Sequence, residues 1–326
     1  MKRADGQASQ SSEGRADDEK NGAQGETLEE LAMGQSFKET YKQLVDERLR
    51  QLLPGEDVYP EVIHEAMAYS LFAGGKRFRP LLCLCACEAV GGNWEAALDA
   101  ACALEMVNTY SLIHDDLPGM DNDDYRRGKL NNHKVYGEGI AILAGDALLT
   151  QAFEVLADCG LRLNQPQKTA WAVKELAHAS GSLGMVGGQV ADIISEGQQP
   201  TKELLNYIHH HKTAALIMAA VQLGGIFGDA QPTELAHLKT YGRHLGLAYQ
   251  ITDDILDITG DEAKIGKPVG SDIKNNKATF PALYGLAQSQ EMAQEAVEAA
   301  IRALGDLPGN TDKLMDMAKS LIGRQA

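Results

Sequence analysis

Residues 94–128 read WEAALDAACALEMVNTYSLIHDDLPGMDNDDYRRG. From Trp94 to His114 the apolar residues recur at helical spacing, and the run ends in a crowd of carboxylates that starts at Asp115. Gathering Asp115, Asp116 and Asp121 costs electrostatic energy, which a hard divalent cation with oxygen ligands reverses. Residues six apart on an ideal helix differ by about 240°, so Asp115 and Asp121 need a backbone distortion to meet, and Pro118-Gly119 supplies one. Standing alone, the segment reads equally well as a solvated acidic turn.

Helical periodicity continues on both sides. The patterns cover Phe37–Leu53, Glu61–Phe72, Pro80–Ala89, Ile140–Leu156 and Thr169–Gly181. They resume at Gly184–Ser195, Lys202–Phe227, Thr233–Ile258 and Lys277–Leu304, with Gly or Pro punctuation such as Pro54-Gly55 and Gly91-Gly92 between them. About ten helices with short links and no fixed-period repeat predict a compact all-α bundle, with any site between facing helices. Hydrophobic residues at 44% and charged residues at 23% are those of a globular chain, and aromatics at 6% disfavour a β sandwich or barrel.

The net charge of −16 makes nucleic acid and anionic membrane surfaces poor partners. Five cysteines, Cys83, Cys85, Cys87, Cys102 and Cys159, lack metal or redox spacing and read as reduced core residues. Residues 1–34 are expected to be a disordered tail before a single domain over 35–326; from Met1 to Thr27 there is no Val, Ile, Leu or aromatic residue. The tail lacks the features of a secretory or transit segment, and no uninterrupted apolar run reaches spanning length, so a cytoplasmic protein without a membrane span is expected.

A second acidic group lies in YQITDDILD, where Asp253 and Asp257 stand at i and i+4 on one face of an otherwise apolar helix and Asp254 lies beside them. Carboxylates in such a setting are costly unless paired or metal-bound. Two such groups far apart in a helical chain point to facing metal sites, and Mg²⁺ favours carboxylates combined with substrate phosphates. Cations suited to phosphate come in short groups: GGKRFRP with Gly75, Lys76 and Arg79; then Arg126-Arg127; Lys212-Thr213; and Lys267 and Lys277. GGKRFRP lacks the spacing of a nucleotide-binding P-loop. In His209-His210-His211 consecutive side chains diverge, so no metal site is read there; His211 leads to Lys212 and the other two are expected to be partly exposed.

Together these segments resemble the trans-type polyprenyl diphosphate synthase family, in particular its bacterial farnesyl and related geranylgeranyl branch, from about Phe37 to about Leu286. The resemblance implies an isoprenoid synthase helical bundle, homodimeric, with a deep central cavity. It implies Asp115, Asp116 and Asp121, with Asp253, Asp254 and Asp257, as ligands of about three Mg²⁺ ions per site holding the allylic diphosphate. Arg126, Lys212 and Lys267 would assist them, while Lys76, Arg79 and Arg127 would bind isopentenyl diphosphate without metal. Thr213 and Gln250, with Lys212, are implied at the reacting carbons, and Gly75 and Lys277 join the substrate-binding set.

Asn108, seven residues before Asp115, replaces a histidine common in the bacterial enzymes; its amide donates to phosphate but carries no charge. Tyr110 occupies the family position that helps set cavity depth, and a phenol ring there favours a fifteen-carbon product over twenty. A terpene cyclase would not need GGKRFRP and Arg127 for a second diphosphate. A squalene-type enzyme would space its acidic motifs differently. A non-catalytic partner subunit typically loses one or both aspartate motifs, and both are present here.

Overall fold

The computed structural model describes residues 36–55, 57–195, 201–260 and 279–323, so the tail reading, Lys267 and Lys277 lie outside the described residues. Helix α1 (Phe37–Leu52) buries Tyr41, Val45 and Leu49, one apolar face at four-residue intervals, and α2 is Glu61–Leu71. Helix α3 (Phe78–Ala89) is almost wholly buried, cysteines included. After a 3₁₀ turn at Trp94–Ala97 comes α4 (Leu98–Asp115), in which 13 of 18 residues are buried. A helix buried on nearly all sides belongs at the centre, and α4 packs against α3 and α6 (Glu138–Leu163).

A short antiparallel hairpin, β1 (Tyr125–Arg126) and β2 (Lys129–Leu130), and helix α5 (Asn132–Tyr136) precede α6. The second half holds α7 (Pro166–Ser180), α8 (Met185–Ser195) and α9 (Lys202–Ile208), then a π-helical segment His209–Ala214 that runs into α10 (Ala215–Phe227). Helix α11 (Pro232–Thr259) starts with a capping box between Gln231 and Glu234 and packs on α10 and α13. The C-terminal part is α12 (Phe280–Tyr284), α13 (Leu286–Ala303) and α14 (Asp312–Ile322).

The all-α expectation holds, with local differences. The periodicity over Lys277–Leu304 is broken at Gly285, whose φ of 80° ends α12 and opens α13. Helix α14 was not read from the sequence. It docks through Leu314, Met317, Ala318 and Leu321, with Lys313 donating to Glu88 at 2.8 Å and to the Tyr41 hydroxyl at 2.9 Å. By length and composition α6 is apolar enough to cross a membrane, a property that counting uninterrupted runs does not register. Its stripe of Ala141, Ala144, Leu148, Ala152 and Val155 is buried in the bundle.

One buried acid ties three elements. Asp99 on α4 accepts from Arg48 of α1 at 2.6 Å and from Arg162 of α6 at 2.7 Å. Burial works against its charge, yet these two guanidinium groups hold the carboxyl below its usual range.

Candidate active site

The first wall of the site is the end of α4. The helix stops at Asp115, and the chain folds back through Pro118-Gly119 so that the Asp121 N–H donates to the Asp115 carbonyl at 2.9 Å. The reversal puts Asp121 beside Asp115, which a continuous helix would not. The Asp115 carboxyl is pushed up to about 6, chiefly by burial; Lys212 and Arg126 pull it down, while Asp121 and Asp116 push it further up. Asp116 is 3% exposed and accepts a fork from Arg126, with Nε at 2.8 Å and the terminal nitrogen at 2.6 Å. Both Asp116 oxygens are thus engaged in holding Arg126 at the rim.

GGKRFRP forms the tight entry to α3. Gly74 and Gly75 have φ of 100° and 120°, and the Arg127 guanidinium donates to the Gly74 carbonyl. A Cβ at Gly75 would run into that guanidinium, so the glycine admits Arg127 as well as any anion. Burial holds Arg127 below the usual guanidinium range, with Arg77 and Arg126 adding to the effect against Glu105. The segment's three cations point to different ends. Lys76 is exposed. Arg77 is buried, bonded to Asp46 at 2.7 Å, Glu105 at 2.8 Å and the Leu71 carbonyl at 2.7 Å. Arg79 has a buried Nε with no hydrogen-bond partner among the described residues. A buried donor without an acceptor is rare in folded proteins.

Asn108 lies two turns before Asp115 on α4 and is 7% exposed. Tyr110 is 6% exposed, edge-on to His114 at 5.6 Å between ring centroids, and burial raises its phenol to about 12. His114 in turn reaches the Ile142 carbonyl of α6 at 3.0 Å, so its ring links α4 to α6.

The second wall is the π segment with α11. An extra residue in a helical turn re-aims side chains, and such segments are frequent at functional sites. Lys212 donates to Asp192 of α8 at 2.6 Å. Thr213 donates to Gln250 at 2.9 Å, and Gln250 donates to Asp254 at 2.8 Å. The other Asp254 oxygen accepts the Phe280 N–H at 2.9 Å. Asp254 is 3% exposed, whereas Asp253 is exposed and Asp257 half-buried, one turn apart on the outer face.

His209 differs from the expectation of partial exposure: it is buried, stacks on Phe280 at 5.3 Å and lies 3.6 Å from Asp254. Burial pushes its imidazole down to about 4. His210 is exposed, as expected, and His211 is half-buried. Asp192, His209 and Phe280 were missed because their partners lie on other elements, and spacing along one helix says nothing about a neighbour twenty residues away.

Among the described residues no three carboxylate, imidazole or thiol groups converge as a ready-made metal cage. What the site offers is two carboxylate pairs, Asp115 with Asp121 and Asp253 with Asp257. Such hard oxygen donors fit Mg²⁺, which binds through one or two carboxylates and completes its shell with water and substrate phosphate. The burial that raises Asp115, with the charges of Asp121 and Asp116 added to it, is the imbalance a cation would relieve.

An all-helical bundle with two aspartate segments at the ends of long helices, and basic groups set between them, defines the isoprenoid synthase class of fold. Residues 60–317 match the polyprenyl synthetase family, and the chain belongs to it. It is 52% identical over 245 residues to a farnesyl diphosphate synthase of Geobacillus stearothermophilus, covering 75% of this chain and 82% of that protein. It is 45% identical over 285 residues to a geranylgeranyl diphosphate synthase of Cyanophora paradoxa, covering 87% and 94%. A solved FPP/GFPP synthase from Zymomonas mobilis superposes with a TM-score of 0.78 at 37% identity, over 87% of this chain and 97% of that one. The chain is a prenyl chain-elongating synthase acting on prenyl diphosphates, a trans-prenyltransferase.

Proposed function

We propose that the chain condenses isopentenyl diphosphate head to tail with dimethylallyl and then geranyl diphosphate, releasing farnesyl diphosphate. In this reading Asp115, Asp121, Asp253 and Asp257 hold Mg²⁺, and Asp116 and Asp254 hold Arg126 and Gln250 in place. When bound, Mg²⁺ supplies positive charge to the oxygen of the leaving diphosphate. Arg126 and Lys212 bind the same diphosphate, while Lys76, Arg79 and Arg127 bind the isopentenyl diphosphate, with Asn108 donating a neutral hydrogen bond. Keeping carboxylates away from the second diphosphate leaves its carbon–oxygen bond unactivated.

The allylic carbon–oxygen bond breaks with its electron pair going to the diphosphate. The isopentenyl double bond attacks the resulting cation, and a proton leaves the new chain to the departing diphosphate. Thr213 and Gln250, joined by their hydrogen bond, present oxygen dipoles beside the reacting carbons. Water has to be excluded from this step, because it would otherwise capture the cation. The observation that carries the division of roles is the buried Arg79 Nε at the start of α3, which has no hydrogen-bond partner among the described residues.

Tyr110 is the support for a fifteen-carbon product, because its ring is buried on α4 five residues before Asp115, edge-on to His114. A twenty-carbon product is the second reading, favoured by similarity to geranylgeranyl synthases. We further propose a cytoplasmic homodimer. Incubating the purified protein with dimethylallyl and isopentenyl diphosphates and Mg²⁺, then separating products by chain length, tests the assignment. A dominant C20 product would replace the first reading with the second, and no product would remove both.

A further inference from the structure

We propose that a second anion-binding site lies behind the π segment, in a hollow of about 480 Å³ between α7, α10 and α11, built for a compact ligand bearing a phosphate or diphosphate group. Its wall carries His178, His210, His211, Lys239 and Arg243, with Glu175 the one acid on the lining. In a chain of net charge −16 this is a local reversal of sign.

Lys239 and Arg243 stand one turn apart on the same face of α11, where like charges repel and destabilise a helix. Neither has a carboxylate within ion-pair distance among the described residues. An anion between them turns that repulsion into attraction, and Arg243 offers the planar fork that suits phosphate. Burial first, then His211, Arg243 and Lys239, hold the His210 imidazole below its usual range, so the two cations of α11 already reach that ring.

The floor is apolar, with Ala179, Ala215 and Met218, and the volume lies within the roughly 300–1,000 Å³ of small-ligand pockets. His210 and Lys212 are two residues apart on one helical segment and so point to nearly opposite sides. Lys212 goes to Asp192 and the reaction site; His210 goes to this hollow. The two sites are therefore separate, with the π segment as the wall between them.

The test follows the His210 ring proton by NMR across pH, in phosphate-free buffer with a chelator, the resonance being identified by its loss in His210→Gln. Inorganic diphosphate and isopentenyl diphosphate are the two probes. Bound anion stabilises the imidazolium, so the titration midpoint of His210 should rise by about one unit. In Lys239→Ala/Arg243→Ala that rise should vanish while turnover stays within about twofold, because both side chains are exposed and outside the reaction site. A stronger response to isopentenyl diphosphate assigns the hollow to an organic diphosphate resting on the apolar floor; equal responses assign it to the free anion. A His210 resonance unmoved by either probe at roughly 10 mM, or an undiminished shift in the double variant, overturns the proposal.

Discussion

Replacing Arg77 by methionine separates structure from binding within a single heptapeptide. Arg77 is 3% exposed and joins three partners: Asp46, the Leu71 carbonyl and Glu105, itself 3% exposed. Removing one member of a buried ion pair strands the other, at about 3–5 kcal/mol. Asp46 is partly wet and rehydrates, so the cost falls on Glu105. For a domain of this size each kcal/mol moves the melting temperature by about 2–4 °C, so Arg77→Met should lower it by roughly 10 °C. Replacing the whole buried pair by apolar groups is often near neutral, so Arg77→Met/Glu105→Leu should recover more than half of that loss. Arg79→Ala, two residues on, should leave melting nearly unchanged and mainly raise KM for isopentenyl diphosphate. Differential scanning calorimetry and steady-state kinetics on the three variants read these effects. If Arg77→Met melts with the wild type and instead raises that KM, the assignment of Arg77 to the core and Arg79 to the anion is wrong.

Asp115→Ala and Asp253→Ala should each cut turnover by roughly a thousandfold, measured by product formation with saturating Mg²⁺; near-normal activity in either removes it from the ligand set. Because the folded-state carboxyl of Asp115 sits at about 6, above its unfolded value of 3.8, its contribution to stability is full below the unfolded value and lost as pH rises through 6. Asp115→Asn in chelator should therefore melt above the wild type at pH 7.5, with the difference shrinking towards pH 4; a gap independent of pH contradicts the burial of that charge. Asp192→Asn should raise KM for the allylic substrate more than for isopentenyl diphosphate, because it releases Lys212 from a 2.6 Å pair; equal changes in both would show that Asp192 does not position Lys212. Tyr110→Ala should move products from fifteen towards twenty carbons with the first condensation preserved, since truncating a buried ring opens a cavity that packed neighbours fill poorly. An unchanged product distribution assigns the ring to packing alone.

Much of the fold was legible because helical periodicity is a property of adjacent residues: α1 to α4 and α6 to α11 follow from apolar spacing and Gly or Pro breaks. The hairpin at Tyr125–Leu130 is too short for a period, and α14 owes its place to Tyr41, Glu88 and Tyr241, partners remote in sequence. At the site, the identity of the acidic and basic groups was readable from composition and motif alone.

Tertiary structure decided how each member of a group is held. Asp116 and Asp115 are neighbours in sequence, yet Asp116 is committed to Arg126 by the fold of the β1–β2 hairpin. Asp254 is turned inward to Gln250 and Phe280 while Asp253 faces out, because only Asp254 meets the start of α12. Arg77 and Arg79 flank Phe78, and the acid on α4 claims the first. Chemistry is carried by the side chain and is present in the sequence; desolvation and pairing depend on what distant elements bring alongside it, and these exist only once the chain has folded.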